Sequence, residues 1–335
     1  MQVHTTLASA PTLRRLACAL AALSLSACGT SATPADASST DASTDGPAAD
    51  ASASDAVIGS FQVKLVAPTD AGAGYTSVVG RVQDGPTPAA IVWEQAATDG
   101  DCRLLTPRVP FCATPCGGSA VCVENDTCRP YPAAQVVGAV TVTGVRTSDG
   151  ATSFVMNPIA NTYQPTGVML PFPAFAAGDA IRFDAAGSAW TTAFSVSARG
   201  ISPLALTTSP VRIQTGQALE LAWTAPATPT ERIVVRLDIS HHGGTRGKIE
   251  CDTADDGALT IASALLTRLV SLGVAGYPTI VVTRVARGAT PIRAGVVELN
   301  VSSEVETPVE IPNLRSCTSN ADCDGGTCRA DLTCG

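Results

Sequence analysis

The segment SFQVKLVAP, residues 60–68, puts Phe61, Val63 and Leu65 on one side of an extended chain and Gln62 and Lys64 on the other. Successive side chains of a strand point to opposite faces, so this two-residue period marks a strand with one buried face and one solvated face. The same short, turn-bounded pattern recurs in YTSVVGRVQD (75–84), AAIVWEQAA (89–97), VVGAVTVTGV (136–145) and TSFVM (152–156). It returns in GVMLPF (167–172), DAIRFDA (179–185) and TAFSVSA (192–198). No helical period of any length interrupts the series. Residues 58–203 therefore read as an antiparallel β-sandwich or barrel, with a proline-rich, irregular excursion at 102–132.

A second β-unit follows over 204–312. Its strands are VRIQT (211–215), ALELAWTAP (218–226), RIVVRLDISH (232–241), GKIECD (247–252), PTIVVTRVAR (278–287) and RAGVVELNVSS (293–303). Leu219, Leu221 and Trp223 share one face at period two. One segment departs from this: in TIASALLTRLVSLG (260–273), Leu265, Leu266, Leu269 and Val270 form a helical stripe, and Gly273 is placed to cap its C-terminus. The strand count and the early Trp223 suggest an immunoglobulin-like sandwich. The expected fold class is all-β: two β-sandwich-like domains plus small disulfide-stapled modules, the last at 313–335.

The N-terminus carries an address. Arg14 and Arg15 precede an apolar run from Leu16 to Ala27, too short for a membrane-spanning helix, which needs about 20 residues. The run ends in Leu25-Ser26-Ala27-Cys28, which resembles the lipobox of bacterial lipoproteins. That likeness implies a signal peptide at 1–27 and acylation of Cys28, with several acyl chains giving a stable membrane anchor. By resemblance to enteric sorting rules, Gly29 after the lipidated cysteine favours the outer membrane. Residues 28–57 are mostly Ala, Ser, Thr, Asp, Gly and Pro, a composition that cannot bury enough apolar surface to offset chain entropy. They read as a flexible acidic tether with a reach of about 30 Å.

Removing residues 1–27 takes away Arg14 and Arg15 and no acid, leaving 308 residues with 19 basic and 29 acidic side chains, a net charge of −10. That balance argues against nucleic-acid binding, which needs clustered basic charge.

Ten cysteines follow Cys28: Cys102, Cys112, Cys116, Cys122, Cys128, Cys251, Cys317, Cys323, Cys328 and Cys334. An even number in an exported chain reads as a disulfide framework, and no pair has the C-x2-C spacing that structural zinc favours. If the C-terminal four pair among themselves, five clustered cysteines remain with Cys251. One of the five must then reach Cys251, and Cys102, which stands apart, is the expected partner. CGGSAVCVENDTC (116–128) and CTSNADCDGGTCRADLTC (317–334) share spacing and a closing Thr-Cys, as two copies of one module would.

The chain as a whole resembles predicted lipoproteins of myxobacteria and related soil bacteria, which combine the same lipobox, acidic tether, β-domains and cysteine modules. The resemblance implies an anchored envelope protein and supplies no catalytic residue.

Chemistry has few candidates. His241 and His242, the only histidines after the signal peptide, precede Gly243-Gly244 and are followed by Cys251, Asp252, Asp255 and Asp256. The favoured reading is a hairpin tip; a metal site or a hydrolase centred on His241 are the alternatives. Asn320, Asp322 and Asp324 have the spacing of the first half of an EF-hand loop, without the closing Glu. The patterns G-x-S-x-G, H-E-x-x-H, the P-loop and the dinucleotide fingerprint are all missing. Trp93 and Trp223 lie in apolar strands and read as core, whereas Trp190 or Tyr163 in an open groove would mark a sugar site. The expected function is non-enzymatic: an envelope lipoprotein, without cofactor or metal, that binds another envelope or extracellular protein or a polysaccharide.

Overall fold

The computed structural model describes residues 55–68, 72–227 and 231–335. The lipobox with Cys28, the signal peptide and nearly all of the tether lie outside these residues. The described residues are all-β apart from one short α-helix and one 3-10 turn.

A single large sheet organises the chain. Numbered in chain order, its strands run in space β10 (Pro158–Ile159), β11 (Thr162–Tyr163), β2 (Tyr75–Gln83), β1 (Val57–Val66), β20 (Gly295–Glu310), β19 (Thr279–Ile292), β16 (Arg232–Asp238), β17 (Lys248–Ala254), β4 (Cys102–Arg108) and β3 (Val92–Asp99). Two short strands add at the sides: β14 (Val211–Arg212) on β20 and β7 (Ala134–Gln135) on β2. A separate four-stranded sheet has the order β13 (Phe194–Arg199), β12 (Ala180–Ala185), β8 (Val140–Thr143) and β9 (Ser153–Met156). Two ribbons complete the set: β15 (Leu219–Ala222) with β18 (Ala258–Ile261), and β5 (Ala120–Glu124) with β6 (Thr127–Pro130).

The β19–β20 hairpin is the spine. With 14 and 16 residues, its arms extend about 45–55 Å at the usual rise per residue. Its odd-numbered positions on β20 from Val297 to Ser303 are buried, and Val305 and Val309 continue the same face. Two cores therefore line up along one side of the sheet. In the first, the four-stranded sheet covers Phe61, Val63, Leu65, Val297, Leu299 and Val301, with Phe183 and Val196 opposite. In the second, the β15–β18 ribbon and helix α1 (Ser263–Ser271) cover Ile233, Val235, Leu237, Ile280 and Val282. On the other side β16 and β20 present exposed and half-buried residues, while Val281 and Val285 of β19 and Leu105 of β4 are buried there, outside both cores.

The tight fit shows at Gly80. A β-carbon there would come within 2.2 Å of the Phe61 ring, so only glycine lets β2 pass over that side chain. Fully buried residues of Phe61's size each contribute about 1.5–3 kcal/mol relative to exposure.

Several expectations change. The boundary at 203/204 is crossed in both directions. β3 and β4, from 92–108, join the second core, and residues 292–301 belong to the first. Parallel pairing of β1 with β20 makes the same connection in the sheet. The 102–132 excursion is not wholly irregular: β4 opens it and the β5–β6 hairpin lies within it. GVMLPF (167–172) forms no strand, and the helix is confined to 263–271 because 258–261 pairs with β15.

Candidate functional site

The cysteines build the most distinctive features. Cys102 bridges Cys251, directly opposite it on neighbouring strands β4 and β17. Two modules then show the same interleaved wiring. In the first, Cys112 bridges Cys122 and Cys116 bridges Cys128. In the second, Cys317 bridges Cys328 and Cys323 bridges Cys334. In both, a residue in the left-handed region precedes the Thr-Cys pair: Asp126 at φ 58° and Leu332 at φ 61°.

The first module is an arm inserted between β4 and β7. Apart from Pro110, its residues from 109 to 131 are exposed or half-buried. Phe111 is 70% exposed, Val109 66% and Tyr131 48%. Phe111 is nonetheless held at its backbone. Its N–H donates to Asn125 Oδ1 at 3.1 Å, and its carbonyl accepts from the Asp126 N–H at 3.0 Å. Asp126 Oδ1 also accepts from the Ala113 N–H at 2.9 Å. The β5–β6 turn and the staples thus fix the backbone that carries an apolar side chain into water. The sequence reading missed this; its signal was the apolar run Val-Pro-Phe (109–111) directly before Cys112.

The second module is docked. The Gly276 N–H donates to the Asp331 carbonyl at 2.7 Å, and Ser316 Oγ donates to the Gly276 carbonyl at 2.6 Å. The three side chains that resembled half an EF-hand are engaged internally. Asn320 Oδ1 accepts from the Cys328 N–H at 2.8 Å, and Asp322 Oδ2 from the Thr318 and Ser319 N–H groups at 2.8 and 2.9 Å. Asp324 pairs with Arg315. The backbone and side-chain donors of Thr318 and Ser319 hold the Asp322 carboxyl down at about 2.

His241 and His242 lie in the connection between β16 and β17, where His242 adopts φ 63°. The turn brings the two ring centres to 3.9 Å, and the His242 and Tyr277 rings lie edge-on with centres 6.5 Å apart. The neighbouring Ser240 is committed elsewhere: its hydroxyl donates to Asp238 Oδ1 at 3.0 Å and accepts from the Arg246 N–H at 3.0 Å. Ser240 is therefore not aligned as the nucleophile of a serine–histidine–carboxylate relay with His241.

The aromatic candidates for a sugar groove are also placed otherwise. Tyr163 is 1% exposed, packed edge-on to Phe61, and its hydroxyl accepts from the Val137 N–H and donates to the Gly138 carbonyl. Burial pushes its phenol up. The turn after Ile159 delivers Tyr163 to the interior, which a two-residue strand gives no period to reveal. Trp190 is half-buried against the first core. Trp93, expected inside, is half-exposed on the outer face beneath Lys248 Nζ, 4.1 Å from the ring centre.

Sequence reasoning also missed a buried ion pair at the joint between the cores. Arg284 and Asp255 are 1% and 0% exposed and joined by two hydrogen bonds. Trp223 Nε1 donates to Asp255 Oδ1 at 2.7 Å. The remaining Arg284 donors reach the Ser202, Pro203 and Thr224 carbonyls and the Ser202 hydroxyl. Every polar group is matched, as a buried charge requires, and losing one partner of such a pair costs about 3–5 kcal/mol. The network ties the linker at 202–204 to β19 and is a structural element.

No family model matches the chain, and no curated protein does.

Proposed function

We propose that this chain is an exported, lipid-anchored envelope protein that binds a partner protein without catalysis, and that the 109–131 arm is its contact surface. The observation that carries this reading is Phe111, 70% exposed on a backbone fixed by Asn125, Asp126 and two disulfides. Exposed apolar groups grouped together mark interaction surfaces more often than accidental exposure. An aromatic anchor on a backbone that is already ordered loses less conformational entropy on binding. Five disulfides support an oxidising compartment, in keeping with the export signal.

The test is a photo-reactive residue placed at 111 and, separately, at 330 in the second module, in cells that make the full chain. A discrete crosslinked species at 111, lost when Val109 is replaced by serine, is the expected result. Equal labelling at both positions would sink the reading. For the anchor, Cys28→Ser should move the protein from the membrane to the soluble fraction.

A further inference from the structure

Where the edge strand β13 crosses the long hairpin, the structure leaves a cleft of about 560 Å3. Small side chains of Ala180, Ala198 and Ala286, with Val285, line it, and Ser197 adds a hydroxyl. The crossing itself depends on Gly288, where a β-carbon would lie 1.8 Å from the Ser197 carbonyl oxygen. Around this apolar lining stand Arg199, Arg232 and Arg287. Three guanidiniums on one cleft are conspicuous in a chain of net charge −8.

Two of the three are held in place. Asp252 accepts from Arg232 Nε at 2.7 Å through Oδ1 and from Arg287 Nη1 at 3.4 Å through Oδ2. Arg232 Nη2 also donates to the Asp252 carbonyl at 2.6 Å. Arg199 makes one long contact, 3.5 Å to the Gly178 carbonyl. Donors therefore remain on all three forks. The lining contains no carboxylate. Asp179, beside Ala180 in the chain, accepts from the Ala176 N–H at 2.7 Å, and Glu231, beside Arg232, is buried and outside the lining. Counting the lining and Asp252, three positive charges stand against one negative, an excess of two in that set.

We propose that this cleft binds the phosphate monoester of a small polar molecule. A phosphate monoester carries about −1.5 to −2 charge and three strong acceptor oxygens, which match the local excess and the three arginines. A carboxylate brings one charge and two oxygens. The volume falls within the roughly 300–1,000 Å3 typical of small-molecule sites and leaves room beyond the phosphate. The alanine lining gives a compact group such as a phosphorylated sugar a place to sit and offers no ring on which a base could stack. The site shares no residue with the 109–131 arm, so either proposal can fail alone.

Isothermal titration of the mature chain in detergent, with inorganic phosphate, glucose 6-phosphate, glucuronate and glucose, tests the assignment. Glucose 6-phosphate should bind at one site per chain, more weakly as salt rises. Inorganic phosphate should compete with it, glucuronate should bind at least about tenfold more weakly, and glucose should give no signal. Arg232→Gln and Arg287→Gln should each weaken binding about tenfold, as expected for loss of a charged hydrogen bond. Arg212→Gln, which disturbs the exposed pair with Glu310, should leave binding unchanged. Both cleft arginines are about half exposed, so the variants should fold, which circular dichroism checks. The proposal is overturned by an absence of saturable glucose 6-phosphate binding at millimolar concentration. It is equally overturned if glucuronate binds as tightly, or if both folded arginine variants keep full affinity.

Discussion

In both small modules the first cysteine bridges the third and the second bridges the fourth, across separations of 10 to 12 residues. Their surroundings are opposite. Cys317 and Cys323 are 1% and 3% exposed, and their module is bonded to the loop at Gly276. The cysteines of the arm are half-buried or exposed, and the arm carries Phe111 and Val109 into water. The staples supply shape in each case, since neither segment has room for a core of its own. What the comparison teaches is that the wiring of such a module does not set its role. The side chains beside the cysteines do: Ser316 and Asp331 dock one copy, and Asn125 and Asp126 hold the other copy's aromatic residue outward.

The strongest test concerns the root of the arm. The Cys102–Cys251 bridge fixes the strand from which the arm departs and closes a separation of 149 residues. Chain entropy assigns about 4–5 kcal/mol to a loop of that size, against about 3 for a ring of 11 or 12. Replacing both cysteines by alanine should lower the unfolding free energy by roughly that amount in guanidinium titration. A loss below about 1 kcal/mol would show that the pairing of β4 with β17 holds without the bridge.

Next in size is the docked module. Cys323→Ala with Cys334→Ala should cost about 3 kcal/mol in global stability, because unstapling also frees the contacts at Gly276. Thermal unfolding reads this directly. An unchanged midpoint would mean that the module melts independently of the body, and the contrast with the arm would disappear.

The sequence made part of this plan readable, for physical reasons that can be named. Alternation at Phe61, Val63 and Leu65 marks a half-buried strand because the period is a local property of the backbone. The parity of the cysteines pointed to a partner for Cys251, and the isolation of Cys102 suggested which, because pairing is a counting constraint. The parallel pairing of β1 with β20 is different: it joins residues some 240 positions apart, as the Lys64–Glu304 contact shows, and no local pattern encodes it. Trp93 was misplaced for a related reason. The bulge between Gln95 and Ala97 shifts the phase of β3, so an apolar run that reads as buried turns its largest member outward. The arginine cleft was invisible because Arg199, Arg232 and Arg287 come from three strands that meet only in the fold.

The arm should behave as the inverse of the docked module. Cys116→Ser with Cys128→Ser removes a ring of the same size, yet the global midpoint should move by less than about 0.5 kcal/mol equivalent, since few of these side chains pack against the body. Limited proteolysis should instead cut between 109 and 131. A midpoint loss as large as that of the docked module would show that the arm is integral to the core. Phe111→Ser should likewise leave stability within about 0.5 kcal/mol, as an exposed residue does.

The smallest expected effect separates the modules by charge. Between its first two cysteines the docked module contains Asp322, whereas the arm has only Ala113, Thr114 and Pro115. Backbone N–H groups of Thr318 and Ser319 stabilise the Asp322 carboxylate and lower its value from 3.8 to about 2. A carboxylate depressed in this way stabilises the folded form above the unfolded value, near 4, and that contribution is lost as pH falls through about 2. Asp331, lowered mainly by the Thr333 hydroxyl, acts in the same direction. The amide resonances of Thr318 and Ser319 should therefore titrate with a midpoint near 2, and Asp322→Asn should abolish that step. A midpoint near 4 would mean that the carboxylate is free in solution. The turn at 318–323 would then rest on its backbone bonds, the Asn320–Cys328 bond and the staples at Cys317 and Cys323, without the carboxylate bridge that Asp126 gives the arm's first loop at Ala113.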